Sequence, residues 1–199
     1  MATPRVFLLS PANCGGERAQ LLFSPRARFD LARRLKTAEG ATLGEVFSFL
    51  SGLYFRGKLA YAEHFGLPLV ITTNAGLRPA DEKVTLETLR RAARVDIKAR
   101  NPRYRRPLLA SARTVAETLG PDGAVTLLGS IASDKYVEAL LSVFGERLTF
   151  PVDFVGRGDM SRGGLLLRCV RADQELTYVP VSGAVRHGPR PPKLTPVRY

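Results

Sequence analysis

Residues 121–144 read PDGAVTLLGSIASDKYVEALLSVF, and this stretch decides the fold. Ala124–Leu128 is a short apolar run, entered from Pro121-Asp122-Gly123 and left at Gly129-Ser130, as a buried strand would be. Lys135–Phe144 then places Val137, Leu140, Leu141 and Phe144 at helical spacing, and Gly145 closes the helix. A buried strand, a polar turn containing glycine and an amphipathic helix make up most of a parallel βαβ unit.

Working outward, the same pattern returns. Arg5–Leu9 reads as a first buried strand, followed by the polar loop Ser10–Glu17. Leu67–Thr72 is a second and Leu148–Pro151 a fourth. Between the first two, Thr42 and Glu45 have capping-box spacing. Val46, Phe47, Leu50, Leu53, Tyr54, Ala60 and Tyr61 then run at helical spacing to a stop at Gly66 and Pro68. Gly52 and Gly57 weaken that helix by about 1 kcal/mol each relative to alanine, and mark close packing, a kink or a break. Leu86–Val95, opened by Thr85, and Arg105–Leu119, stopped by Gly120-Pro121, are further helices. Phe29–Lys36 is a shorter one. Ala19–Phe23 reads as helix or strand, Leu165–Val170 as strand or helix, and Glu175–Val181 as an edge strand.

The alternation predicts one three-layer α/β domain over residues 1–181, with a mainly parallel sheet and helices on both faces. From Ser182 apolar content falls away, and residues 182–199 read as a mobile, basic, proline-rich tail.

The 199 residues carry a formal charge of +12, from 24 arginines and 6 lysines against 18 acidic residues. Such a surplus attracts polyanions, although a GC-rich genome produces the same arginine bias. The two cysteines, Cys14 and Cys169, form no CxxC pair, and with two histidines, His64 and His187, they support neither a zinc site nor a histidine-based triad. No metal ligand set is expected and no cofactor is assigned. Val6–Leu9 is too short for a signal core or a membrane span, so a cytoplasmic protein that does not enter membranes is expected.

In open α/β sheets ligands bind beyond the carboxyl ends of the strands. Four strand exits carry suitable residues: Ser10, Asn13, Gly15 and Gly16; Thr72, Thr73, Asn74 and Gly76; Gly129, Ser130 and Ser133; and the loop from Gly156 to Gly164. Glycines allow close backbone approach, helix starts attract anions, and hydroxyl and amide groups direct hydrogen bonds. In the fourth exit Arg157 and Arg162 suit phosphate or carboxylate. There Asp159 is the candidate acid, base or electrostatic group, a metal ligand, or else simply the partner of Arg157 or Arg162. Candidate ligand-binding residues are thus Ser10, Asn13, Asn74, Gly76, Gly129, Ser130, Arg157 and Arg162. A separate basic run supplies Arg90, Arg91, Arg94, Arg103, Arg105 and Arg106 for nucleic-acid phosphates, with Tyr104 placed to stack on a base.

Leu8-Leu9-Ser10-Pro11-Ala12 resembles the opening of the YaaA-like proteins. The progression from Leu53-Tyr54 through Val70-Ile71-Thr72, Gly76-Leu77 and Asp81, with Lys135-Tyr136 later, is similar to related α/β domains. The resemblance implies peroxide-stress association and DNA binding, with no settled reaction, and adds Pro11, Tyr54 and Asp81 as site positions. The expected function is nucleic-acid association through the arginine-rich surface. The alternatives are an enzyme acting on a nucleotide, sugar or nucleobase in the manner of an N-glycosidase, or a non-catalytic nucleotide sensor.

Overall fold

The computed structural model describes residues 5–132 and 134–195. In chain order the strands are β1 (Arg5–Leu9), β2 (Ala41–Thr42), β3 (Leu67–Ile71), β4 (Leu77–Pro79), β5 (Lys83–Val84), β6 (Ala124–Leu128), β7 (Leu148–Pro151) and β8 (Tyr178–Pro180). The α-helices are α1 (Glu17–Phe23), α2 (Asp30–Leu35), α3 (Leu43–Ser51), α4 (Leu53–Phe65), α5 (Leu86–Ala93), α6 (Pro102–Leu119), α7 (Val137–Phe144) and α8 (Asp159–Ala172).

The fold is α/β, built on a six-stranded sheet of order β4-β3-β1-β6-β7-β8. β1 pairs in parallel with β3 and β6, and β6 with β7, while β4 and β8 are antiparallel edges. β2 and β5 form a separate two-stranded ribbon. The chain leaves β1 toward β3 on one side and later returns to β6 on the other. The crevice between the carboxyl ends of β1 and β6 is therefore a topological switch point.

Successive side chains of a strand point to opposite faces, and β1 feeds two cores. Phe7 and Leu9 pack with Phe47, Phe55, Tyr61 and Leu166 of α3, α4 and α8. Val6 and Leu8 pack with Tyr104, Leu108, Leu140 and Phe144 of α6 and α7.

The helix expected to start at Thr42 is two helices. The capping box is present, with the Glu45 amide donating to Thr42 Oγ1 and the Thr42 amide to the Glu45 carboxylate. At Gly52 the backbone takes φ 64°, which ends α3 and redirects the chain into α4. Gly57 has the close-packing role: a Cβ there would lie 2.6 Å from the Gly163 carbonyl oxygen and 2.9 Å from its Cα. This glycine-on-glycine crossing brings α8 against α4.

The segment Asp159–Gly164, read from sequence as loop, is the first turns of α8, which continues through Leu165–Val170. The helical reading wins because Gly163 and Leu166 are buried against α4 and its surroundings. Ala19–Phe23 is likewise helical, and Leu77–Pro79 pairs antiparallel with β3. Residues 182–195 form neither helix nor strand, yet they touch the domain, with Arg186 on Asp134 and Pro189 against Gly156.

Candidate functional site

Beyond the carboxyl ends of β1 and β6 opens a cavity of about 710 Å³. Ser10, the first residue past β1, is fixed there because its amide donates to the Leu128 carbonyl at 3.2 Å. Gly129, the first residue past β6, lies beneath it. A Cβ at Gly129 would sit 2.8 Å from Ser10 Cβ and 2.9 Å from the Tyr136 hydroxyl, so glycine is what lets these two side chains converge.

At the centre is Lys58, projected from α4 next to the Gly57 crossing. It is 1% exposed. Its Nζ lies 2.8 Å from both the carbonyl oxygen and Oγ of Ser10. It also sits 4.5 Å from the centre of the Tyr54 ring and 4.8 Å from that of Phe55. An ammonium held in such surroundings loses its hydration, and its charged form is disfavoured. Burial accordingly pulls Lys58 from 10.5 down to about 7, with Asp159 opposing and Arg162 adding to the fall.

Arg162, from the first turn of α8, reaches under the cavity and donates through Nε and Nη2 to the Phe154 carbonyl, at 3.2 and 2.9 Å. Its Nη1 is 3.4 Å from the carboxylate of Asp159, whose side chain is 69% exposed at the rim. Lys58 and Arg162 are the two charged residues that are buried among the described residues, and both are cations at this site.

Two tyrosines complete the floor. Tyr136 donates to the Ser130 carbonyl at 3.0 Å, and burial pushes its hydroxyl up to about 12. The Tyr54 hydroxyl is buried without a hydrogen-bond partner, and burial pushes its pKa well above the ordinary tyrosine value.

One wall is the chain from Ala92 to Lys98, tied to the β3 exit by the Thr73 hydroxyl, which donates to the Ala92 carbonyl at 2.6 Å. This wall lies within the arginine run. Arg90, Arg91, Arg94, Arg103, Arg105 and Arg106 are all exposed. Arg91 pairs with Glu87, and Arg90 lies 5.9 Å from the Phe23 ring centre.

Of the residues singled out from sequence, Ser10, Pro11, Asn13, Tyr54, Ser130 and Asp159 line the cavity, with Gly129 and Arg162 supporting it. Asn13 also accepts from the Gly15 amide at 3.0 Å, which shapes the first loop. Others are placed elsewhere. Asn74 lines a separate crevice beside Leu43 and Phe47. Gly76 turns at φ 71° against the Pro107 carbonyl of α6, a contact that admits no side chain. Arg157 donates to the Asp153 carbonyl and to Ser161, facing residues 190–194 instead. Asp81 lies in a surface groove beside Arg34 and Arg56. Tyr104 is 1% exposed in the α6–α7 core and has no face to offer a base. Ser133 lies outside the described residues.

Lys58 was not singled out from sequence. Its signal is a lysine four residues after Tyr54 and three before Tyr61, inside the apolar stripe of α4.

Among the described residues no cluster of His, Cys, Asp and Glu is suited to hold a metal ion, and no helix is long and apolar enough to cross a membrane. Cys14 and Cys169 are unpaired thiols, and burial pushes Cys14 up to about 12. No family model, curated protein or solved structure matches the chain.

Proposed function

We propose that this protein binds a nucleotide unit of a nucleic-acid strand, with the base or sugar in the β1–β6 cavity and flanking phosphates on the exposed arginines. The observation that carries this reading is the shared segment Ala92–Lys98. It forms a wall of the cavity, contains Arg94, and lies in the chain between Arg90 and Arg91 before it and Arg103, Arg105 and Arg106 after it, all of them exposed. The cavity has the buried Arg162 guanidinium at its base, and it offers hydroxyl and amide groups at Ser10, Asn13 and Ser130 for orientation.

The two cores fed by alternate residues of β1 support the finer architecture, a three-layer domain with helices on both faces of the sheet. The resemblance to YaaA-like proteins, associated with DNA and peroxide stress, points in the same functional direction.

Fluorescence anisotropy with mixed-sequence single-stranded oligonucleotides tests the reading. Binding is expected at low salt and should weaken steeply as salt rises, because phosphate contacts release counterions. Arg94→Glu with Arg103→Glu should weaken all sequences alike and flatten the salt dependence. Mononucleotides should compete weakly and saturably. Absence of binding at low salt, to strands and mononucleotides alike, overturns the proposal.

A further inference from the structure

We propose that Ser10 and Lys58 form a nucleophile–base pair, in which Ser10 Oγ attacks the carbonyl carbon of an ester or amide substrate bound in the cavity. This goes beyond nucleotide binding and does not depend on it.

The geometry is specific. A neutral amine has two protons and one lone pair. As an ammonium, Lys58 Nζ donates to both oxygens of Ser10 at 2.8 Å; once deprotonated it keeps one N–H on the Ser10 carbonyl, and its lone pair accepts from the Ser10 hydroxyl. The carbonyl thus orients the amine for the proton it is to take. Ser10 is itself immobilised by the Leu128 carbonyl and by the space left at Gly129. A base adjacent to a hydroxyl and oriented by a third group is the arrangement that activates a serine.

The groups facing the pair select the chemistry. From α8 come Arg162 and the rim carboxylate Asp159; from α4, Tyr54; from the turn before α7, Tyr136 and, at the rim, Lys135; from the α5–α6 connection, Asp96 and Lys98. Arg162 is a buried cation, and Lys58 becomes one as it takes the serine proton, so the site favours a transition state that develops negative charge. An oxyanion from carbonyl attack fits that field, and the unpartnered Tyr54 hydroxyl is a spare donor on the same floor. A glycosyl oxocarbenium ion would instead meet the buried Arg162 guanidinium, with its stabilising carboxylate exposed and engaged with Arg162.

In the step itself, Ser10 Oγ bonds to the carbonyl carbon as its proton passes to Lys58 Nζ. Collapse of the tetrahedral oxyanion breaks the bond to the leaving oxygen or nitrogen, which receives that proton from the Lys58 ammonium. Water then attacks the acyl-serine, giving up a proton to Lys58; collapse of the second tetrahedral oxyanion breaks the bond to Ser10 Oγ, which takes that proton back from Lys58 as the acid is released.

A fluorophosphonate probe tests this on the intact protein. Ser10 Oγ displaces fluoride at phosphorus, and peptide mass spectrometry locates the adduct. The adduct is expected on Ser10. Its rate of formation should be about tenfold greater at pH 8 than at pH 6, following the free-base form of an amine with pKa near 7. Lys58→Met should abolish labelling with the fold intact by circular dichroism, whereas Ser142→Ala, away from the cavity, should not alter it. A folded wild-type protein that leaves Ser10 unlabelled, or labels it at a rate independent of pH or of Lys58, overturns the pair. Oligonucleotide binding, read separately, distinguishes that failure from failure of the nucleotide reading.

Discussion

Replacing Lys58 with methionine should stabilise the protein in mild acid and destabilise it in alkali. The folded protein lowers the lysine from 10.5 to about 7, chiefly by burial. The unfolded chain therefore holds more protons than the folded one between about pH 7 and 10.5, and the Lys58 contribution to stability rises with pH across that window. Below about pH 7 the folded state carries the full penalty of the buried charge. At about 1.4 kcal/mol per tenfold change in proton affinity, this penalty is about 5 kcal/mol, an upper bound because water in the cavity screens part of it. Methionine keeps a stem of similar length without the charge. It also leaves the carbonyl and hydroxyl of Ser10 without their partner, which costs about 1–3 kcal/mol at any pH. Lys58→Met should thus be more stable than the parent by about 2–4 kcal/mol at pH 6 and less stable by about 0–2 kcal/mol at pH 10, where about 1 kcal/mol of the charge penalty remains. Urea unfolding of both proteins at pH 6, 8 and 10 measures the difference, in which titrations common to the two cancel. A difference that keeps the same sign and size from pH 6 to pH 10 would refute the reasoning, because it would mean that Lys58 does not change protonation in the folded protein.

Gly57→Ala should cost about 1–3 kcal/mol or more, because its Cβ meets the Gly163 backbone, which cannot yield without moving α8 off α4; an unchanged thermal midpoint would contradict the crossing. Gly129→Ala should cost a similar amount and, by displacing Ser10 or Tyr136, should also suppress the fluorophosphonate adduct. Thr42→Ala removes the cap of α3 and should cost about 1 kcal/mol by chemical denaturation, with the cavity chemistry left intact. Cys14, its thiol pushed up to about 12 by burial, should resist maleimide at pH 7.5 in the folded protein and react once the chain is unfolded in urea; reaction at the same rate in both states would show that the thiol is accessible.

Much of the scaffold is legible in local sequence. The apolar runs Arg5–Leu9, Ala124–Leu128 and Leu148–Pro151 are strands with those bounds, because short buried strands of a parallel sheet need continuous apolar side chains. The capping box at Thr42 is equally local, since all its partners lie within one helical turn. Where the sequence left helix or strand open, at Ala19–Phe23 and Leu165–Val170, packing against α3, α5 and α4 settles for helix. The glycines of the Gly156–Gly164 stretch suggested a loop, yet two of them lie inside α8. There the missing side chain at Gly163 serves helix contact, a property of the partner surface and not of the local chain.

The residues at the strand exits were recognisable because their chemistry depends on residue type and on position after a strand. Ser10, Asn13, Ser130 and Asp159 do share one cavity. What local pattern could not give is the direction each side chain takes once the sheet twists and the helices pack. Asn74, Gly76 and Arg157 stand at exits as well but face other surroundings, and Tyr104, inside a basic run, turns inward. Lys58 is the clearest case. By sequence alone it is one cation on a helix in a chain with many, and a lysine's protonation depends on how much water surrounds it. The sequence by itself determined the strands, the helix caps and the positive charge, all set by neighbours along the chain. The tertiary structure decided that one lysine is dry and lies 2.8 Å from one serine, because dehydration and proximity arise only when residues 48 positions apart are packed together.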